Sequence, residues 1–287
     1  MAEILKGSPV STALTRRLIC RAEALVQKGV TPCLAILRVG ERADDLAYER
    51  GAIKRCETIG IAVREYALPP DVTQKTLTET INLINNDPDI HGCLMFRPLP
   101  RTLDEKAACA ALAPEKDIDG ITIGSMAKIY SGTGEGFAPC TAQSCMELLN
   151  HYGIDAAGKR AAVIGRSLVI GRPVASLLMA ANATVAICHT RTHDIPSIVR
   201  NADIVVVAAG KAEAIGAEYF RNGQIVLDVG INWSEKKQKL VGDVDFDAVE
   251  SIVAAISPVP AGVGSVTTAV LCAHVIEAAE RLCRITD

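Results

Sequence analysis

Short apolar runs alternate with amphipathic stretches along almost the whole chain. Apolar residues at helical spacing predict a helix over 11–28, and the continuous apolar run 33–39 predicts a buried strand. The pattern then repeats as helix 44–59, strand 61–68, helix 73–86 and strand 92–96. Pro98 and Pro100 stop that strand abruptly. A second series begins with a strand over 159–165 and a helix over 173–182. Strands follow over 184–188, 203–208, 224–229 and 252–256, and an amphipathic helix over 267–283 closes the pattern. Strand–helix alternation implies right-handed crossovers and parallel sheets, so the expected fold class is α/β. Residues 120–140, rich in Gly and Ser, read as loop between the two series. The expected division is a first domain over 1–145, completed by 267–287, and a second over 146–266.

Composition agrees with buried parallel strands. Of 287 residues 49% are hydrophobic and only 3% aromatic, so Ala, Val, Ile and Leu do most of the packing. A net charge of -3 argues against a general electrostatic grip on nucleic acid or anionic membrane. Ten cysteines form no CxxC pair and no Cys/His cluster with zinc spacing, so no metal is expected. Free thiols, no apolar signal core and no membrane-length apolar run set the expectation of a cytoplasmic protein. Cys140 and Cys188 sit beside interesting motifs, but a buried structural thiol is the commoner outcome than a nucleophile.

The segment from Gly165 to Gly171, with Arg166 and Ser167 between them, follows a strand and opens a helix. A tight turn there aims helix N–H groups at phosphate oxygens, and Pro173 suits a first helical turn. It is not GxGxxG, and read alone it is equally an ordinary strand–helix turn. The end of the next strand sharpens the reading. NAD-selective sites usually carry an acid there for the ribose hydroxyls. This chain has Thr190 and Arg191, a hydroxyl and a cation suited to a 2′-phosphate. NADP is therefore expected over NAD, with Arg166 as a second charge. Gly210 and Ile231 end later strands on the same edge. A Rossmann-like second domain is the expectation.

Several segments together resemble the methylenetetrahydrofolate dehydrogenase/cyclohydrolase family, the FolD type. They are 114–120 (Pro-Glu-Lys-Asp-Ile-Asp-Gly), 139–141 (Pro-Cys-Thr), 165–173, Cys188 with His189, 229–232, 241–244 and 258–264. Each is a modest signal, and their order and spacing are specific. The resemblance implies two α/β domains flanking a cleft, usually in a homodimer, with NADP on the second domain. It implies tetrahydrofolate derivatives as substrates, and hydride transfer from the one-carbon bridge of 5,10-methylenetetrahydrofolate. Asp119 matches the residue that pairs with the pterin amide and amino edge; otherwise an Asx turn before Gly120 is the default. Tyr48 matches the family tyrosine. Gly264 and Thr267 match the nicotinamide side.

The chain departs from the family at the second activity, hydrolysis of the methenyl product. The family lysine four residues after the tyrosine is Ala52, and the supporting glutamine is Phe96, followed by Arg97. The serine three residues before the tyrosine is Asp45. Lys54 should not substitute, because six residues along a helix turn it roughly 120° from Tyr48. Arg97 stays protonated and makes a poor general base, though it suits a carboxylate or phosphate. In the closing loop, Pro260 keeps its place while Ala261 replaces a glycine where the backbone passes the pterin. The expectation is a dehydrogenase with cyclohydrolase activity lost or weak. Three alternatives remain: a bifunctional enzyme using another residue, a same-fold oxidoreductase on another pterin or iminium, and a folate- or nucleotide-binding regulator.

Overall fold

The computed structural model describes residues 1–286, with side chains through Cys283. In chain order the first elements are β1 (Glu3–Ile4), α1 (Gly7–Gln27), β2 (Cys33–Val39), α2 (Ala43–Ile59), β3 (Ala62–Leu68), α3 (Gln74–Asn86) and β4 (Gly92–Met95). They continue with α4 (Glu105–Ala111), α5 (Ile123–Ser131), α6 (Cys140–His151), β5 (Arg160–Ile164), α7 (Gly171–Ala180), β6 (Thr184–Cys188) and α8 (Ile195–Arg200). The last are β7 (Ile204–Val207), β8 (Ile225–Asp228), β9 (Asn232–Ser234), β10 (Lys239–Val241), α9 (Phe246–Val249), β11 (Ala255–Ile256) and α10 (Thr267–Thr286).

The chain divides into two compact units. One comprises Ala13–Cys140 and the chain from Thr268 onward. Its sheet has the order β3-β2-β4, all parallel. Leu34, Ala35, Ile36 and Leu37 of the central strand are fully buried on both faces, which is why β2 reads as an unbroken apolar run. Leu77, Ile81 and Ile84 of α3 recur at helical spacing and share one core with Ala35 and Leu37. Ala52, Cys56 and Ile59 form the buried stripe of α2. The thiols of Cys56 and Cys272 lie 3.7 Å apart, so α10 packs against α2.

The other unit comprises Met1–Thr12 and Thr141–Thr267. Its six strands lie in the order β1-β11-β8-β7-β5-β6, all parallel. The order reverses between β5 and β7, and ligands of open α/β sheets bind at the carboxyl edge of such a switch point. A short β9–β10 hairpin, absent from the sequence expectation, extends from the loop after β8.

Two expectations need correction. Residues 1–12 belong with the six-stranded unit, because β1 ladders onto β11 and Leu5 N–H donates to Ile256 O at 2.9 Å. The expected domain completion by 267–287 ends at Asp287, outside the described residues. Residues 120–140 are not all loop, since they hold α5. Its end signals are local: the Thr122 hydroxyl accepts from Ser125 N–H, and Gly132 closes the helix in the left-handed region. Such a short helix depends on its caps. Thr122→Ala is expected to destabilise it by about 1 kcal/mol, read as faster hydrogen exchange in the first turn of α5.

Candidate active site

The six-stranded unit builds a cradle at its switch point. Gly165 follows β5 with φ +123°, and a Cβ there would lie 2.2 Å from Ala208 O at the end of β7. A Cβ on Gly171 would lie 2.3 Å from Gly165 O. Both glycines are thus imposed by close main-chain approach. The Ser167 hydroxyl accepts from Ile170 N–H at 3.2 Å and shapes the turn into α7. Arg166 and Ser167 are exposed at its rim.

Gly165 N–H donates to Cys188 O, so the loop after β6 leaves beside this turn. There His189 N–H donates to the Thr192 hydroxyl at 3.0 Å, and Arg191 N–H donates to His189 Nδ1 at 3.1 Å. Nδ1 is therefore the acceptor nitrogen of that imidazole. The tight turn leaves Thr190 and Arg191 exposed. Arg166 and Arg191 carry no ion pair among the described residues. A glycine cradle rimmed by a hydroxyl and two unpaired guanidinium groups fits a dinucleotide with an extra phosphate.

Two buried carboxylates hold the remaining loops, and the sequence reading identified neither as an anchor. Asp243 accepts from Gly210 N–H at 2.9 Å, Lys211 N–H at 2.8 Å and the Asn232 amide at 2.9 Å. It ties the loop after β7 to the loop carrying Ile231. Asp228 accepts from the N–H groups of Gly230, Asp243 and Val244. Burial pushes the Asp228 carboxyl up to about 7, against those three N–H bonds, which favour the carboxylate. A Cβ on Gly230 would meet Asp243, and one on Gly242 would meet Asp228. The Gly242-Asp243 pair was visible only as part of the family pattern.

The closing loop lies in the same unit. Gly264 neighbours Ile231, whose Cδ1 would be 3.3 Å from an added Cβ. The Thr267 hydroxyl donates to Gly264 O at 3.0 Å. Pro260 and Ala261 are exposed beside them. Ala261 has φ +79°, a left-handed conformation that suits glycine.

The three-stranded unit gathers a second set of residues. Tyr48 on α2 meets Phe96, which follows β4, edge to face with ring centroids 6.1 Å apart. Ala52, one turn further along α2, is completely buried. Lys54 is exposed, away from that buried stripe, as its spacing predicts. Asp45 pairs with Arg42 at 3.7 Å. Arg97 faces Glu105 at 3.8 Å, and Glu105 in turn accepts from Leu99 N–H at 2.9 Å. Glu105, absent from the sequence reading, therefore engages the cation expected to face a ligand. Buried Glu49 pairs with Arg38 at 3.0 Å, and burial raises its carboxyl.

Asp119 makes a long-range contact in place of a local Asx turn, its Oδ1 accepting from Cys140 N–H at 3.1 Å. Fully buried Asp117, two residues earlier, accepts from Ile121 N–H, Thr122 N–H and the Ser125 hydroxyl. Asp119 keeps partial solvent access at its surface, but its dense surroundings raise its carboxyl. Gly120 has φ +66°, and a Cβ there would lie 2.5 Å from Pro139 N. Cys140 and Cys188 are both buried, and burial raises both thiols, as befits structural cysteines.

A parallel sheet with a glycine cradle at its switch point, joined in one chain to a unit presenting a tyrosine and a half-buried aspartate, defines a two-domain nucleotide-dependent enzyme. The chain belongs to the tetrahydrofolate dehydrogenase/cyclohydrolase family: residues 5–119 match its catalytic domain and residues 139–283 its NAD(P)-binding domain. It is 49% identical to the bifunctional protein FolD of Carboxydothermus hydrogenoformans over 98% of this chain and 99% of that one. Identity to the bifunctional protein FolD of Clostridioides difficile is 44%, over 96% of each. The crystal structure of the Campylobacter jejuni bifunctional FolD enzyme superposes with a TM-score of 0.94 at 37% identity, covering 98% of this chain and 99% of that one. The Trypanosoma brucei FolD dehydrogenase-cyclohydrolase, complexed with NADP cofactor and inhibitor, gives 0.91 at 34% identity over 99% of each. Among the described residues, no helix is long and apolar enough to cross a membrane.

The strained conformation at residue 261 is testable. Ala261→Gly is expected to stabilise the protein by about 1 kcal/mol, read as a higher unfolding temperature.

Proposed function

We propose that this protein oxidises 5,10-methylenetetrahydrofolate to 5,10-methenyltetrahydrofolate with NADP, and that its cyclohydrolase activity is lost or weak. The observation that carries the second half is the packing of Phe96 against Tyr48 with Ala52 fully buried one turn away. The family's lysine and glutamine positions hold only hydrocarbon. Neither a methyl group nor a phenyl ring can hold or move a proton during water addition. Arg97 stays protonated and faces Glu105.

Hydride transfer makes a different demand. It needs alignment of the donor carbon with its acceptor and tolerance of cationic charge, without a lysine as proton carrier. When bound, NADP supplies the hydride acceptor. Gly165, Arg166, Ser167, Gly210, Ile231, Gly264 and Thr267 would hold it, and Thr190 with Arg191 would receive the 2′-phosphate. Asp119 pairs with the pterin amide and amino edge, and Tyr48 contacts the folate. The unit with the three-stranded sheet is the substrate domain in this reading. A homodimer belongs to it as well: β6 is a sheet edge, and Ile187 on it is 41% exposed, apolar surface that a second copy would cover. The methenyl product then requires a separate hydrolytic enzyme.

A second reading, a bifunctional enzyme that hydrates through another residue, is favoured by the names of full-length relatives at 44% and 49% identity. Adding methenyltetrahydrofolate to the enzyme separates the two. Decay at the uncatalysed rate is expected from the unsubstituted protein. Ala52→Lys combined with Phe96→Gln is expected to restore measurable hydrolysis. Fast hydrolysis by the unsubstituted protein would instead establish the bifunctional reading.

Cofactor choice has its own test. Arg191→Ala is expected to raise the KM for NADP about 10-fold or more, the scale of a charge-assisted hydrogen bond, with little effect on NAD. An unchanged NADP preference would remove Arg191 from the site. Binding of both ligands without turnover on either cofactor would favour a regulator.

A further inference from the structure

The substrate unit contains a buried histidine that neither the family motifs nor the proposed chemistry uses. His274 on α10 lies against the segment that carries Asp119. Its Nδ1 is 2.8 Å from Ile118 O, the carbonyl of the peptide leading into Asp119. A carbonyl only accepts, so Nδ1 carries a proton and donates it to Ile118 O. The Cys140 thiol stands 3.4 Å from the same carbonyl and 3.8 Å from Nδ1. Cys140 is also the residue whose N–H donates to Asp119 Oδ1. His274 thus touches both the peptide before Asp119 and the residue that holds its carboxylate.

The ring is held in turn. Phe137 stacks on it with centroids 4.8 Å apart and planes at 28°. The Arg281 guanidinium lies 4.4 Å and the Lys128 ammonium 5.4 Å from the Phe137 centroid. Phe137 N–H donates to the Ser125 hydroxyl, which donates to Asp117. Burial lowers the His274 pKa, opposed by the hydrogen bond to Ile118 O and by the Glu277 charge, while the Arg281 and Lys128 charges push it down. Asp117 therefore fixes the chain after Asp119 and His274 fixes the chain before it.

We propose that His274 is a positioning residue that sets the direction of the Asp119 carboxylate toward the folate through the Ile118 peptide and Cys140. This rests on the reading of Asp119 as the pterin partner. Without an imidazole donor, Ile118 O would keep only a thiol, a weak donor, and the peptide plane would be free to rotate. The Asp119 side chain would turn with it.

The experiment compares steady-state dehydrogenase kinetics of four variants with the unsubstituted enzyme. His274→Phe keeps an aromatic ring on Phe137 but no donor. His274→Asn keeps a side-chain N–H. Asp119→Asn and the Asp119→Asn/His274→Phe double variant complete a cycle. Expected is a rise of about 10-fold in the KM for methylenetetrahydrofolate with His274→Phe, while the KM for NADP stays within about twofold. His274→Asn recovers most of the loss, and the double variant is no worse than Asp119→Asn alone. An unchanged folate KM in His274→Phe, with a raised one in Asp119→Asn, overturns the role of His274 and leaves the site reading standing. An unchanged folate KM in Asp119→Asn overturns that reading and this inference together. Should His274→Phe fail to fold, nitrogen-15 imidazole spectra of the unsubstituted enzyme serve instead. A ring protonated at Nδ1 is expected, and a neutral ring whose only proton is on Nε2 overturns the proposal.

Discussion

Loops that gather at the ends of parallel strands carry main-chain N–H groups that no strand ladder satisfies, and three buried aspartates take up that role here. Asp117 accepts from the N–H groups of Ile121 and Thr122, Asp228 from those of Gly230, Asp243 and Val244, and Asp243 from those of Gly210 and Lys211. Leaving such donors unpaired in the interior would cost about 1–3 kcal/mol each. The arrangement does more than satisfy them. Asp228 and Asp243 each tie separate stretches of chain together and Asp117 folds its own stretch back on itself, so the loops bearing Asp119, Gly210 and Ile231 are held by hydrogen bonds in addition to apolar packing. The glycines follow from the same constraint: Gly230 and Gly242 leave the space that Asp243 and Asp228 occupy.

The sequence made the apolar skeleton legible and the polar joints much less so. The run 33–39 and the helical spacing of Leu77, Ile81 and Ile84 report burial directly, and β2 and α3 fall where they predict. The stretch 120–140 hides α5 because its Gly and Ser content resembles a loop, while its Thr122 and Gly132 caps lie at the ends. β1 is two residues long, too short for any periodicity to show. Asp117 and Asp243 were visible inside motifs but not as anchors, since an aspartate that accepts from distant N–H groups looks in sequence like one in solvent. The Asx-turn alternative at Asp119 fails because its carboxylate reaches the distant Cys140 N–H instead.

The two activities of the family make unequal demands, and the residues of this chain divide along the same line. The nucleotide cradle depends on glycines, a hydroxyl and cations at the carboxyl edge, and all are present. Water addition depends on groups that manage protons, and at Ala52 and Phe96 the chain has a methyl group and a ring packed on Tyr48. Relatives that match end to end are named bifunctional, so overall similarity does not resolve the matter. The proposed loss of hydrolysis rests on a few side chains, which a whole-chain comparison averages away.

The most direct measurement follows both products in one reaction started with methylenetetrahydrofolate and NADP. Reduced nicotinamide and methenyltetrahydrofolate are recorded together, before uncatalysed ring opening becomes appreciable. Matching amounts of the two throughout is the predicted result. Reduced nicotinamide accumulating while methenyltetrahydrofolate fails to appear would contradict the account.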